Sequence, residues 1–598
     1  MIYNPLYKEY KSITGAIPSE TPTTFRVKNI FDSVLLVVRK DGCDFLKEFA
    51  MEKRGDYFEV TISLNKGLYF YFFKVDGNKF ISKGNSFDGV VADNINEYQL
   101  TVFSNKYASP EWIKGGVIYQ IFPDRFYSSR VNFNHQEGKI LRDDWGGIPY
   151  YMPNEEGEVL NNDFFGGDLK GITQKLDYLS SLNVTCIYLN PIFKAYSNHR
   201  YDTGNYMEID PLLGNLDDLK ELIDNANKYG IKIILDGVFN HTGSNSLYFN
   251  KELNYDEIGA YQSQNSKYYS WFNFINYPNE YESWWGIKTL PSTNKSKGGY
   301  RDYITQENGV IDFYTRLGIG GWRLDVVDEI PTDFSKDITS AVKKVDDQAI
   351  VIGEVWEDAS NKISYGVRRE YFQGEELDSV MNYPLKNAII DFVKNGNSEN
   401  LVNVIYTQID HYPKAVLHSL MNILSTHDTF RLLSALSNVD VNGMTKEEQS
   451  KITIDGENFD IAKFRVKVAS LLQYTLCGVP SLYYGDEIGM QGFVDPLNRR
   501  CFDWENGDSD LSSWYKFLGK IRKEYSCLKD GDFELVYSSQ GTFIYKRLGE
   551  KELLIAVNLS SDQLFLDYNG TMIDIISNKE FVNEIQLDSN TIMLLRCK

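Results

Sequence analysis

The sequence predicts an α/β fold: a (β/α)8 TIM barrel with a subdomain inserted after strand three, an N-terminal β-sandwich and a C-terminal antiparallel β domain. Three observations carry this. Eight apolar segments recur from Val117 to Gly485 with helical periodicity between most of them, as a barrel of parallel strands reads. The flanks read instead as short strands between turns. Charged residues also gather where the apolar segments end, the face on which such barrels build their sites.

Taken in order, residues 1–112 contain the alternating "YFEVTI" (Tyr57–Ile62), then "LYFYFFKVDGNKF" (Leu68–Phe80) with a turn at Asp76-Gly77. That pattern suits an antiparallel sandwich of about 100 residues. The barrel is expected over residues 113–507. Its strands are "VIYQIF" at 117, "TCIYLN" at 185, "IKIILD" at 231, "GGWRLD" at 320, "AIVIGE" at 349, "SVMNYP" at 379, "LMNILS" at 420 and "VPSLYYG" at 479. Between strands two and three, "LDDLKELIDNANKYG" has a helical period and ends in the glycine that commonly follows a helix. The gap from strand three to strand four is too long for one helix, so residues 242–300 or thereabouts are read as an inserted subdomain. Ten of the 25 residues in Tyr261–Trp285 are aromatic, which suits either a small core or a cleft wall. Residues 508–598, with "GTFIYKRLG" and "KELLIAVNLSS", return to alternating strands.

Composition narrows the function. A chain of 598 residues with 42% apolar content can bury several cores. A net charge of −21 argues against nucleic acid and anionic membranes, which need a basic surface. Aromatic content of 14%, with 41 Tyr, suits flat apolar ligand faces such as sugar rings. No segment approaches 18 consecutive apolar residues, so no membrane span is expected. The start, "MIYNPLYKEYKSITG", has no signal-peptide pattern. Six scattered cysteines without metal spacing read as free thiols, so a cytoplasmic location is expected.

The informative stretch is "GWRLDVVDEI", Gly321–Ile330. In a strand, residues two apart share a face, so Arg323 and Asp325 point the same way. Burying two charges is costly unless they pair. Other strand ends add to them. Strand three supplies Asp236, Asn240 and His241; strand five supplies Glu354; strand seven supplies His427, Asp428 and Arg431. The loop after strand two carries His199, Tyr201 and Asp202. There is no phosphate loop, no strand-end lysine for a Schiff base and no serine elbow. Carboxylates flanking an aromatic cleft suit glycoside hydrolysis, which needs one ionised and one protonated carboxyl. Asp325 beside Arg323 is expected to have a depressed pKa and act as nucleophile. Glu354 beside Trp356 is expected to have a raised pKa and act as general acid.

At these residues the sequence resembles the α-amylase superfamily, glycoside hydrolase family 13. The motifs are "DGVFNH" (236–241), "GWRLDVVDE" (321–329), "GEVW" (353–356) and "STHDTF" (425–430), with "GVIYQIFPDRF" and "GVPSLYYGDEIGM". The resemblance implies Asp325 as nucleophile, Glu354 as acid/base and Asp428 as transition-state stabiliser. It further implies that His241, Arg323 and His427 hold the sugar above Tyr201, and that Asp495 and Arg499 of "DPLNRR" contact the next sugar on the non-reducing side.

Within the superfamily, the sandwich, "SNHRYDT" and "GEVWEDA" are similar to the neopullulanase, cyclomaltodextrinase and maltogenic amylase subgroup. "SWWGIKTLPSTN" departs from that subgroup's pattern at Ser292 and Thr293. The expected substrates are maltooligosaccharides and cyclodextrins cleaved at α-1,4 bonds, with α-1,6 cleavage in pullulan and transglycosylation left open. A plain α-amylase on long starch and a non-catalytic glucan-binding protein are the alternatives. The resemblance also implies a starch-binding-type N-terminal module and a homodimer formed through it. No cofactor is expected. Several relatives hold calcium after strand one, but "DRFYSSRVNFN" places Ser128, Arg130, Phe133 and Asn134 where ligands belong. No calcium is therefore expected there, and Arg130 is expected to reach Asp168 instead.

Overall fold

Eight parallel strands form one sheet: β1 (Ile118–Ile121), β2 (Cys186–Leu189), β3 (Lys232–Gly237), β4 (Gly321–Leu324), β5 (Ile350–Gly353), β6 (Ser379–Val380), β7 (Met421–Ile423) and β8 (Val479–Tyr483). They belong to a computed structural model that describes residues 1–598 apart from positions 78, 85, 86, 106, 132, 156 and 158. The order β6-β5-β4-β3-β2-β1-β8-β7 sets β1 against β8, as a barrel requires. Between β6 and β7 the ladder shrinks to the Met381–Met421 bridge. Side chains complete the seam: the Asn382 amide donates to Asn422 Oδ1 at 2.8 Å, and Ser379 Oγ donates to the Ser419 carbonyl at 2.6 Å.

Strand alternation explains both the core and the site. Ile118, Cys186, Ile234, Ile350, Ile352, Met421 and Val479 pack together inside the ring. The alternate residues Tyr119, Ile187, Leu235, Trp322, Leu324 and Val351 join the large core formed with the surrounding helices. Continuing inward positions to the strand ends gives Gln120, Asn190, Asp236, Arg323 and then Asp325 and Glu354. The same two-residue period thus fills the barrel with apolar groups below and polar groups at the mouth. Gly321 is required at the start of β4, where an added Cβ would lie 2.1 Å from the Ile350 carbonyl oxygen.

The excursion between β3 and β4 contains its own aromatic cluster, with Tyr248, Phe249, Trp271, Phe272 and Tyr281 buried. Its tip, Trp284 and Trp285, lines the cavity at the barrel mouth, so the insertion serves as a small core and as a cleft wall. Before the barrel, a seven-stranded sheet and a three-stranded sheet enclose Tyr3, Phe25, Leu36, Tyr71, Phe73 and Leu100. Lys11 and Asp410, both fully buried and 3.0 Å apart, tie this unit to the barrel's helix Ser398–His411. After β8, the helix Ser509–Glu524 buries Leu511, Trp514, Tyr515 and Leu518, and a six-stranded antiparallel sheet runs from Asp532 to Cys597. Among the described residues, no helix is long and apolar enough to cross a membrane.

Candidate active site

The polar strand ends converge on a cavity of about 1160 Å³ at the barrel mouth. Tyr201, His241, Asp325, Glu354, Trp356, His427, Asp428, Asp495 and Arg499 all line it. Arg323 does not. Its guanidinium is wholly buried beneath the cavity floor. The physical reason is that carboxylates cover it. Arg323 Nη1 donates to Asp236 at 2.9 Å and to Asp325 at 2.8 Å, while Nη2 forms an ion pair with Glu354 at 2.9 Å.

Each acid is fixed by further contacts. The backbone N–H of Val326 donates to Glu354 Oε2 at 2.8 Å, and Trp356 Nε1 donates to Oε1 at 3.2 Å. Val326 makes its bond from a left-handed conformation, φ 39°, which is strained for a β-branched residue. Trp356 stacks on Tyr383 with ring centroids 3.9 Å apart and leaves its other face to the cavity. Asp428 lies 3.0 Å from His427 Nε2 and 3.3 Å from Arg499 Nη2, and Arg499 also holds Asp495 at 2.8 Å.

The imidazoles and Tyr201 form a connected floor. Gln120 Nε2 donates to His427 Nδ1 at 2.9 Å, which places the ring proton on Nε2, 2.7 Å from the Tyr201 hydroxyl. That hydroxyl donates to Asp236 at 2.8 Å, beside a 2.6 Å hydrogen bond from Tyr188. Tyr201 and His427 lie parallel, 7° apart in plane. His241 donates from Nε2 to the Tyr201 carbonyl at 3.1 Å and stacks on Trp284. Burial pushes the pKa of His199 and of His241 down to about 3 and that of His427 well below its usual range, aided at His427 by Arg499 and Arg323. All three imidazoles are neutral near pH 7.

The carboxyls behave differently from the sequence expectation. Burial pushes Asp325 well above the usual carboxylate range; Glu354 and Asp236 add to the push and Arg323 opposes it. The predicted depression is corrected because burial outweighs the pull of a guanidinium that Asp325 shares with two other carboxylates. Burial raises Asp428 to about 7 against the pull of Arg499. Asp236, Asp325 and Asp428 therefore keep protons to higher pH than isolated carboxyls would.

Asn190, Tyr188 and Gln120 belong to this network without having been picked out. The signal was present: Gln120 and Asn190 are polar endings on apolar strands, as Arg323 is. Tyr365 at the rim left no comparable signal. The loop after β1 also departs from expectation. Asp168 accepts from the Ser129 hydroxyl at 2.5 Å and from the Gly171 amide at 2.6 Å, capping the helix Leu169–Gln174, while the Arg130 guanidinium lies over the Phe133 ring at 4.8 Å. No cluster of three or more His, Cys, Asp or Glu suited to a metal occurs among the described residues.

Comparison with known proteins agrees with this geometry. The α-amylase catalytic domain matches residues 120–530. The chain is 35% identical over 592 residues to an amylopullulanase of Thermoanaerobacter thermohydrosulfuricus, covering 89% of this chain and 38% of that protein. It spans less than half the length of the amylopullulanases it matches. It is 32% identical over 595 residues to a cyclomaltodextrinase of Thermoanaerobacter pseudethanolicus, covering 94% and 93% of the two chains. A solved cyclomaltodextrinase structure superposes with a TM-score of 0.72 at 25% identity, covering 100% of this chain and 99% of that one.

Proposed function

The chain belongs to the α-amylase family, glycoside hydrolase family 13, and on that premise we propose that it is a retaining hydrolase of maltooligosaccharides and cyclodextrins. The observation that carries the reading is the Arg323 guanidinium bridging Asp325 and Glu354 beneath a large aromatic-walled cavity. A single bridging cation favours the short carboxyl spacing, about 5–5.5 Å, that retaining enzymes use.

In this reading Asp325 attacks the anomeric carbon while Glu354 gives its proton to the departing glycosidic oxygen, and the C–O bond breaks. The glycosyl ester on Asp325 is then cleaved by water, whose proton goes to Glu354. Asp428, held by His427 and Arg499, faces the oxocarbenium-like charge between the two states. Tyr201 provides the floor, His241 and His427 flank the sugar, and Asp495 with Arg499 receives the neighbouring sugar. Trp356 Nε1 holds Glu354 Oε1 in place at the cavity wall.

The cyclomaltodextrinase relatives support short or cyclic substrates over long starch. Comparing kcat/KM on β-cyclodextrin, pullulan and soluble starch tests this preference. The first product observed by proton NMR should be the α-anomer; the β-anomer would exclude the mechanism. A homodimer through the N-terminal sheets is part of the proposal, supported by exposed Phe45, Leu46, Val90 and Val91, and light scattering decides it. Cytoplasmic residence is supported by six unpaired cysteines and is tested by fractionation.

A further inference from the structure

We propose that the hairpin Ile363–Arg368 is a wall of the cleft that contacts the leaving-group end of cyclic or long α-glucans, and that the N-terminal sheet of the same chain holds it in place. This rests on the α-glucan reading of the cleft. The hairpin consists of strands Ile363–Ser364 and Val367–Arg368, joined by Tyr365 and Gly366 at φ 50° and 75°, the positive values of a two-residue turn. Its tip is apolar and open, with Tyr365 71% exposed.

Lys362, Ile363, Ser364 and Tyr365 line the main cavity. Ser364, Tyr365 and Val367 also line a second cavity of about 590 Å³ behind it, so the hairpin is a thin partition between two open spaces. It follows β5, the strand that ends in Glu354. In an eight-membered ring β4 and β5 lie across from β8, whose following loop carries Asp495 and Arg499. A glucan with one end at Asp495 and its scissile oxygen at Glu354 must therefore extend towards Tyr365. The Tyr365 hydroxyl and Trp285 Nε1 both donate to Glu329 Oε1, at 2.5 and 3.1 Å, which aligns two exposed aromatic residues along that path.

A two-stranded hairpin is marginal by itself. Its base is anchored to the barrel: Arg369 Nη1 donates to the Ile330 carbonyl at 2.7 Å, and the Tyr371 hydroxyl to Asp328 at 2.6 Å. Its outer strand is anchored elsewhere. Arg368 Nε and Nη2 reach Asp41 of the N-terminal unit at 2.8 and 3.3 Å. Nearby, Asn361 Nδ2 donates to Gln99 Oε1 and Gln99 Nε2 to Ser360 Oγ, both at 2.8 Å. Arg368 and Asp41 are thus positioning residues, and Tyr365 is a binding residue.

The test uses calorimetric titration of β-cyclodextrin and maltotriose into a Glu354→Gln parent, which separates binding from turnover. Asp41→Arg and Arg368→Asp should each weaken cyclodextrin three- to tenfold while leaving maltotriose within twofold, and the combined charge swap should restore cyclodextrin to within twofold of the parent. Tyr365→Ala, at an exposed position, should weaken cyclodextrin at least fivefold even if the swapped pair folds poorly. Unchanged cyclodextrin affinity in the single variants and in Tyr365→Ala, or equal losses on both ligands, overturns the hairpin proposal alone. A parent that binds neither ligand overturns the α-glucan reading and the hairpin proposal with it.

Discussion

Arg323 Nη1 lies 2.8 Å from Asp325 Oδ1, yet its pull does not outweigh burial, and Asp325 stays well above the usual carboxylate range. The same nitrogen serves Asp236, and the other terminal nitrogen serves Glu354. Burial raises Asp325 and Asp236 against the pull of that one positive charge, so both keep protons to higher pH. A bound sugar changes this balance by presenting hydroxyl donors to the carboxylates, so the charge on Asp325 becomes a property of the complex.

Asp325→Asn and Glu354→Gln should each lower kcat by at least about 10³-fold, since nucleophilic and acid–base contributions are both large in such reactions. Circular dichroism and melting temperature should stay close to those of the parent. Turnover near the wild-type rate in either variant would remove these two residues from the mechanism.

Asp428 makes folding stability depend on pH. An unfolded aspartate titrates near about 3.9, whereas this one is pushed up to about 7 in the fold. Between those values the folded state keeps a proton that the unfolded state has lost, so its contribution falls as pH rises from about 4 to 7 and then levels off. The Asp428→Asn variant lacks this titration. Its melting temperature should match wild type at pH 4 and exceed it at pH 8. A difference that stays constant with pH contradicts the assignment.

Lys11→Met should destabilise the chain by about 3–5 kcal/mol, because it leaves Asp410 buried without its partner. The paired change Lys11→Met with Asp410→Leu should recover most of that loss, since two apolar groups need no compensation. Denaturant midpoints measure both. Equal destabilisation in the single and paired variants would show that the ion pair itself is irrelevant.

Calcium should leave the protein unaffected. The Asp168 carboxylate is already committed to Ser129 and Gly171, and a guanidinium occupies the loop that would supply its other ligands. Neither chelation by EDTA nor added calcium should shift the melting temperature. A fall of several degrees on chelation, reversed by calcium, would show that the loop rearranges to bind.

The barrel strands were legible because burial on both sides makes each a continuous apolar run, and the catalytic candidates were legible because charges interrupt those runs at one end. Arg323, Asp325 and Glu354 stood out for that reason. The hairpin Ile363–Arg368 did not, since its strands are two residues each and its exposed Ile363 and Val367 imitate a buried segment. The acidity of Asp325 was misjudged for a related reason: "RLD" reveals the neighbour in the chain, but Asp236 and Glu354 arrive from adjacent strands and compete for the same cation. Arg130 was misjudged because its guanidinium settles over the Phe133 ring while Ser129 and Gly171 take Asp168, a choice that spacing alone does not encode.

The seam between β6 and β7 bears on how such a barrel can diverge. Elsewhere around the ring, neighbouring strands are laced by main-chain groups that every amino acid carries, so closure there is indifferent to substitution. At the seam, much of the lacing belongs to Ser379, Asn382 and Asn422, whose replacement removes it. Drift at those three codons can therefore loosen or tighten the ring locally without touching the acids at its mouth.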